Sequence, residues 1–135
     1  MADEAVIIEL LGKNGDPMRF KVADGVKIEK GAILKLTDSR TAIINSANGD
    51  IIAGIAAEEK VASDGKLDIS VYTNGVFDLK VEAGQTATIG SFVRVAGTAN
   101  QVRLATTLDH ETGKTIGKAL ETGSASEVIA VRVLL

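Results

Sequence analysis

Turn signals recur along this chain at intervals too short for long helices. Asn-Gly, Asp-Gly and related glycine pairs mark seven sites, at residues 14–17, 24–25, 48–50, 64–65, 74–75, 83–84 and 112–113. These pairs suit hairpin turns, because glycine and asparagine accept the positive φ that such turns need. Many short segments separated by such turns are typical of an all-β chain.

Apolar residues alternate with polar or charged ones in the segments between the turns. The alternating apolar positions are Met18, Phe20 and Val22; Leu67, Ile69 and Val71; Phe77, Leu79 and Val81; Val102 and Leu104; and Ile129, Val131 and Val133. A period of two places one set of side chains on one face of a strand. We therefore predict an all-β fold, a compact barrel or sandwich of short antiparallel strands. A helix is the alternative at Ile51–Lys60 and at Lys118–Glu121, so at most one short helix is expected.

A weak internal repeat relates the two halves of the chain. Lys30–Leu36 matches Ile89–Val95 at a distance of 59 positions, and Ile52–Glu58 matches Thr115–Glu121 at a distance of 63. The matches predict two pseudo-repeated β units, at 26–72 and 85–134. Neither unit could bury its apolar face alone, so we expect one domain spanning residues 1–135. Chance recurrence of glycine-containing strands with one basic residue is the alternative.

The charge and aromatic content argue against nucleic-acid binding. Fifteen Lys and Arg residues stand against eighteen Asp and Glu, and the two signs alternate along the chain without forming blocks. Binding to a nucleic-acid duplex needs clustered basic residues. Binding to a single strand needs aromatic side chains that stack on the bases, and aromatic residues make up only 3% of this chain.

The apolar run Ala5–Leu11 is too short to span a bilayer. We expect no nucleic-acid partner, no membrane partner and synthesis in the cytoplasm.

Few residues are available for catalysis. Cysteine is absent and His110 is the only histidine, which excludes disulfides, thiol nucleophiles and multi-histidine metal sites within one chain. His110 is interpreted as a solvated loop side chain. A hydrolase that uses two nearby acids is one hypothesis, and its candidates are Glu58, Glu59, Asp64 and Asp68. Solvated turn acids are the preferred interpretation, so we expect no enzyme activity, no metal and no cofactor.

The N-terminal run is more apolar than a chain terminus usually is. Its apolar members are Ala5, Val6, Ile7, Ile8, Leu10 and Leu11. Residues 1–11 are either the first core strand or an arm that adds to the sheet edge of another chain. These six residues are the candidate partner contacts, because the centre of an interface is usually its most apolar part.

Several segments together resemble a known family. They are Gly75–Val81, Val93–Val95, Ile116–Glu121 and Val131–Val133. This pattern resembles the small capsid cement (decoration) proteins of tailed phages and related viruses. In those proteins a Gly-Val-Phe-x-Leu strand comes first, and an Ile-Gly-x-Ala-x-Glu segment leads into a C-terminal Val-x-Val strand. The resemblance covers the second half of the chain closely and the first half loosely.

The resemblance implies a non-catalytic viral structural protein, located in the virion. Such a protein would form a homotrimer, bind the major capsid protein on the outer surface of the assembled head, and stabilise the capsid. Symmetric trimerisation would add three weak contacts into strong avidity. The alternative function is a β-barrel that binds a small ligand or carbohydrate in its lumen, for which we would expect a monomer with a concave pocket.

Overall fold

The computed structural model describes residues 3–10, 17–106 and 108–135, and within them the fold is all-β with no helix. The strands of these residues are β1 (Val6–Glu9), β2 (Met18–Lys21), β3 (Ile33–Asp38), β4 (Thr41–Ile44), β5 (Ile52–Ala56), β6 (Asp68–Tyr72), β7 (Asn74–Val81), β8 (Phe92–Val95), β9 (Gln101–Leu104), β10 (Thr115–Ala119) and β11 (Val128–Leu134). The predicted all-β fold is confirmed.

The strands after β1 form two closed five-stranded barrels. Barrel 1 has the order β2-β4-β3-β5-β6, and barrel 2 has the order β7-β11-β10-β8-β9, with β1 added to β7. In each barrel the first and third strands pair in parallel, and this pairing closes the barrel. The other neighbours within each barrel are antiparallel, as predicted.

The two barrels share one strand order and many local details. An isolated bridge joins Ile28 to Lys60 in barrel 1, and the same bridge joins Ala87 to Gly123 in barrel 2, again displaced by 59 and 63 positions. The prediction of two pseudo-repeated β units in a compact barrel architecture is confirmed. Each barrel also contains a first strand, β2 or β7, that precedes the residues matched in sequence.

Both helix alternatives are wrong. Ile51–Lys60 contains strand β5, and Lys118–Glu121 begins within strand β10. All five residues of β5 are buried. One face of the strand lines barrel 1 and the other faces barrel 2. Because neither face is exposed to water, apolar and polar residues do not alternate along the strand.

Two apolar clusters form the core. One fills barrel 1 and includes Phe20, Leu34 and Ile69. The larger cluster fills barrel 2, and it also contains Ile33 and Ile55 from the outer wall of barrel 1. The two barrels therefore share buried surface.

Polar contacts fix how the barrels sit against each other. The Ile33 amide donates to Asn100 Oδ1 over 2.9 Å, and the Asn100 amide donates to Asn45 Oδ1 over 3.3 Å. Both asparagines are buried, so these bonds satisfy groups that water does not reach. The Ile52 amide also donates to the Gly113 carbonyl over 3.1 Å.

Candidate functional site

The N-terminal run forms an edge strand on its own chain. Strand β1 pairs with β7 in antiparallel orientation. Ala5, Ile7 and Leu10 are partly buried against the cluster of barrel 2. Val6 and Ile8 lie on the other face, with 57% and 53% of their surface exposed. The sixth candidate contact, Leu11, lies outside the described residues.

The segment before β1 is tied to both barrels. The Ala5 amide donates to the Gly31 carbonyl over 2.7 Å, which connects the segment to barrel 1. Asp3 accepts hydrogen bonds from Gln101 over 3.0 Å and from Lys80 over 3.3 Å, which connects it to barrel 2. The hydrogen bond from Gln101 and the Lys80 ammonium lower the pKa of Asp3, although burial acts in the opposite direction. The strand is therefore presented on a fixed support.

A second exposed surface lies on the outer wall of barrel 2. Phe92, Lys118 and Arg132 are cross-strand neighbours in one row on β8, β10 and β11, and we call this row the outer row. Phe92 is 41% exposed and stacks on His110 with 4.6 Å between the ring centroids. The Lys118 ammonium lies 5.7 Å from the centre of the Phe92 ring. This row combines an aromatic surface with two cations.

Two open grooves flank the stacked rings. One has a volume of about 410 Å³ and is lined by the outer row together with His110 and Leu134. The other has a volume of about 450 Å³ and runs between Phe92, Leu104 and His110. Both are surface features of barrel 2.

His110 is held in place by the residue before it. Asp109 is only 4% exposed, and its Oδ2 accepts hydrogen bonds from Arg94 Nη1 over 2.9 Å and from the Thr106 amide over 2.6 Å. Burial raises the pKa of Asp109, but the Thr106 and Arg94 contacts outweigh it and the net shift is downward. His110 is exposed, as expected, but it is packed on an aromatic ring instead of being surrounded by water.

The carboxylate of Asp109 has a counterpart in barrel 1, at Asp50. Neither residue was identified from the sequence as an anchor of a loop. Asp50 Oδ2 accepts from the Ser46 and Ala47 amides and lies 3.8 Å from Lys35 Nζ. Lys35 and Asp50 each lie 59 positions before Arg94 and Asp109. The signal was present in the repeat, as a basic residue and an acid displaced by the same number of positions.

Three of the four acids of the hydrolase hypothesis lie beside basic side chains: Glu58 and Asp68 beside Arg19, and Asp64 beside Lys60. Asp64 accepts a hydrogen bond of 2.9 Å from the buried Lys60, and Asp68 pairs with Arg19. The Lys60 contact lowers the pKa of Asp64 to about 2, whereas an acid catalyst needs a raised pKa. In the part of the chain that the structure describes, no three His, Asp or Glu side chains converge on a candidate metal position.

Side chains fill the interior of each barrel. Phe20, Leu34 and Ile69 occupy barrel 1, and Val93 and Ile129 occupy barrel 2, each no more than 8% exposed. A ligand in either lumen would have to displace this core, so the alternative of a lumen-binding barrel is not favoured. Within residues 3–10, 17–106 and 108–135, no helix has the length and hydropathy to cross a membrane.

The fold of the chain has a counterpart among solved structures. In fold the chain is similar to a protein described as head fiber gp8.5 N base in bacteriophage phi29, seen in a crystal structure. The TM-score is 0.53 and the sequence identity 11%, over 87% of this chain and 92% of that one. No curated protein matches the sequence.

The family match falls on the second barrel. A model of the family described as phage cement protein matches residues 65–135, which contain β6 and all of barrel 2. The match covers more than half of the chain and agrees with the resemblance carried by Gly75–Val81 and the later segments. The chain therefore belongs to the phage cement protein family, and its function is capsid decoration.

Proposed function

We propose that this protein binds the major capsid protein on the outer surface of the assembled phage head and stabilises the shell without catalysis. The family match over residues 65–135 carries the proposal. The rigid, filled barrels support it, because a clamp that holds neighbouring subunits together needs a surface of fixed shape. In this role the protein is made in the host cytoplasm and resides in the virion.

The proposed contact with the capsid is the outward face of β1. Val6 and Ile8 expose more than half of their surface, while Ala5, Ile7 and Leu10 hold the strand against barrel 2. The pairings of the described strands place β7 on one side of β1. The other edge is thus able to pair with a strand of the capsid.

The protein is further proposed to act as a homotrimer on the capsid. Three identical contacts bind much more tightly than one, because the second and third contacts form within an already assembled complex. The net charge of −3, with alternating signs, supports partners that are proteins and not nucleic acids or membranes.

Co-sedimentation with expanded, undecorated heads of the parent phage tests the capsid contact. We expect the wild-type protein to saturate at a number of copies related to the capsid symmetry. The double variant Val6→Glu, Ile8→Glu should bind at least about tenfold more weakly, equivalent to about 1.4 kcal/mol per site. The control for an exposed apolar-to-Glu change is Val61→Glu, because Val61 is 63% exposed and lies on barrel 1.

The outcomes separate the parts of this proposal. Failure of the wild-type protein to bind heads at micromolar concentration would overturn the capsid-binding role. Equal binding by the double variant and by Val61→Glu would leave that role intact and remove β1 from the contact. Thermal unfolding of each variant is the control for folding, and both exposed sites are expected to tolerate the substitution.

A further inference from the structure

The outer row of barrel 2 has a counterpart in barrel 1. Ile33, Ile55 and Tyr72 are also cross-strand neighbours in one row. They lie 59, 63 and 60 positions before Phe92, Lys118 and Arg132, on the equivalent strands. The two rows therefore occupy the same place on the outer walls of the two barrels.

In barrel 1 this row forms the interface with barrel 2. Ile33 and Ile55 are 0% and 1% exposed within the apolar cluster of barrel 2. The ring of Tyr72 packs against the ring of Phe77, with 5.8 Å between the centroids. The row Ile33, Ile55 and Tyr72 of barrel 1 thus packs on the part of barrel 2 that contains Phe77.

The receiving end also has a counterpart. Met18 on β2 lies 59 positions before Phe77 on β7, and its side chain points to the inward side of its strand, as does that of the buried Phe20. Phe77 is fully buried, whereas Met18 is 46% exposed. Both sides of the interface between the barrels therefore have a second copy at the surface. The outer row on barrel 2 is the counterpart of the row Ile33, Ile55 and Tyr72, and Met18 on barrel 1 is the counterpart of Phe77.

We propose that copies of this chain associate head to tail, with the outer row of one copy docked on the Met18 end of barrel 1 in the next copy. The inference deepens the self-association in the proposed function and rests on it. The groove of about 410 Å³ between Phe92 and Leu134 accepts the Met18 side chain, which is flexible enough to fill an irregular site. Such a contact joins two different patches, and repeated around a threefold axis it closes a ring.

Pairwise cross-linking tests the contact directly. The chain has no cysteine, so the thiol introduced in each single variant is the only one in its copy. Arg132→Cys and Met18→Cys mark the positions equivalent to Tyr72 and Phe77. A mixture of the two variants is treated with a short bis-maleimide, both in solution and on heads. The mixture should give covalent dimers, and each variant treated alone should give none. The double variant should give a covalent trimer.

Three results would overturn the inference. Dimers from Arg132→Cys alone would indicate a twofold contact between identical patches. Cross-links from Arg132→Cys to the capsid protein would make the outer row a capsid contact. The absence of cross-links between copies, both in solution and on heads, would mean that the copies do not meet here.

The oligomeric mass of surface variants in solution tests the contact between copies independently of binding to the capsid. We expect the wild type to sediment as a trimer and Phe92→Glu at the mass of the single 14.0 kDa chain. Leu67→Glu, at a 65% exposed site on barrel 1, should keep the trimer mass. A trimer mass for Phe92→Glu, or a wild type that sediments as a single chain, would overturn the head-to-tail contact in solution. If the mass of Phe92→Glu is unchanged and it still co-sediments with heads, the proposed function stands and only this inference fails.

Discussion

At Gly117 the two strands β10 and β11 approach so closely that a side chain has no room. A Cβ atom here would overlap the Arg132 carbonyl oxygen and press on the Val133 Cα. Gly54, 63 positions earlier, has the same relation to the Tyr72 carbonyl oxygen in barrel 1. A glycine at a close backbone approach lets a short strand bend into a small closed barrel.

Replacing Gly117 therefore tests whether this close approach supports the barrel. We expect Gly117→Ala to lower the free energy of unfolding by about 1–3 kcal/mol, since the strands must move apart. Gly97→Ala is the control, because a Cβ at Gly97 meets nothing within 4 Å. Urea unfolding measures both, and equal stability of the two variants would contradict the account.

Lys60 is a buried cation that barrel 2 does not reproduce. Its side chain is 1% exposed, and Nζ donates to Asp64 Oδ1 and, over 2.8 Å, to the Asp24 carbonyl. The equivalent position in barrel 2 is Gly123. Lys60 thus belongs to the particular packing of barrel 1 and is not required by the shared fold.

The pairing of Lys60 with Asp64 predicts a pH dependence. The pKa of Asp64 falls from 3.8 to about 2 on folding, chiefly through the Lys60 hydrogen bond, so its stabilisation is complete above pH 3.8 and is lost as the pH falls through 2. We expect Asp64→Asn to unfold at a lower temperature than the wild type at pH 7, with the difference shrinking toward pH 2. Glu59→Gln, at an exposed carboxylate, is the control for the loss of one negative charge. A difference for Asp64→Asn that stays constant with pH would contradict the assignment.

The strands differ in how well the sequence predicted them. Strands β6, β7 and β11 have one face in a barrel core and one facing out, so their alternation was clear at Ile69, Leu79 and Val131. Strand β5 is buried on both faces, and its Ile-Ala-Gly-Ile-Ala sequence suggested a helix as readily as a strand. Alternation of apolar and polar residues thus identifies strands that have one exposed face, and it does not identify strands that are buried on both faces.

The candidate surfaces were predicted less completely than the strands. The apolar run at β1 was found from the sequence, but not which of its residues face outward, since that depends on the register with β7. The stack of Phe92 on His110 was not found, because a loop held by Arg94 and Asp109 brings the rings together. Contacts that depend on the placement of a loop leave no periodic signal in the sequence.

Neighbouring residues of β1 are expected to respond differently to truncation. Ile7 packs against the core of barrel 2, so Ile7→Ala should lower the free energy of unfolding by about 1–2 kcal/mol. Ile8 is 53% exposed, and Ile8→Ala should change the stability by less than about 0.5 kcal/mol. Thermal or urea unfolding compares the two, and a larger loss for Ile8→Ala would mean that the faces of the strand are assigned the wrong way round.

For the whole molecule, the shared cluster predicts a single cooperative unit. Separating the barrels would expose Ile33 and Ile55 and leave the buried Asn45 and Asn100 without their partners across the junction. We therefore propose that residues 1–135 form one domain. Calorimetry should give one transition whose calorimetric and van't Hoff enthalpies agree. Two resolved transitions would mean that each barrel is stable alone.

The junction between the barrels also has a consequence for synthesis. Barrel 1 has its last strand at Tyr72, whereas β11 ends only at Leu134. At about 5–20 residues per second, barrel 1 is complete on the ribosome roughly 3–12 s before barrel 2. Its apolar outer wall stays uncovered until residues of barrel 2 reach it. Because Thr73 alone separates β6 from β7, the first segment to emerge afterwards carries Phe77, the residue that packs against Tyr72, so translation delivers the cover for this wall first.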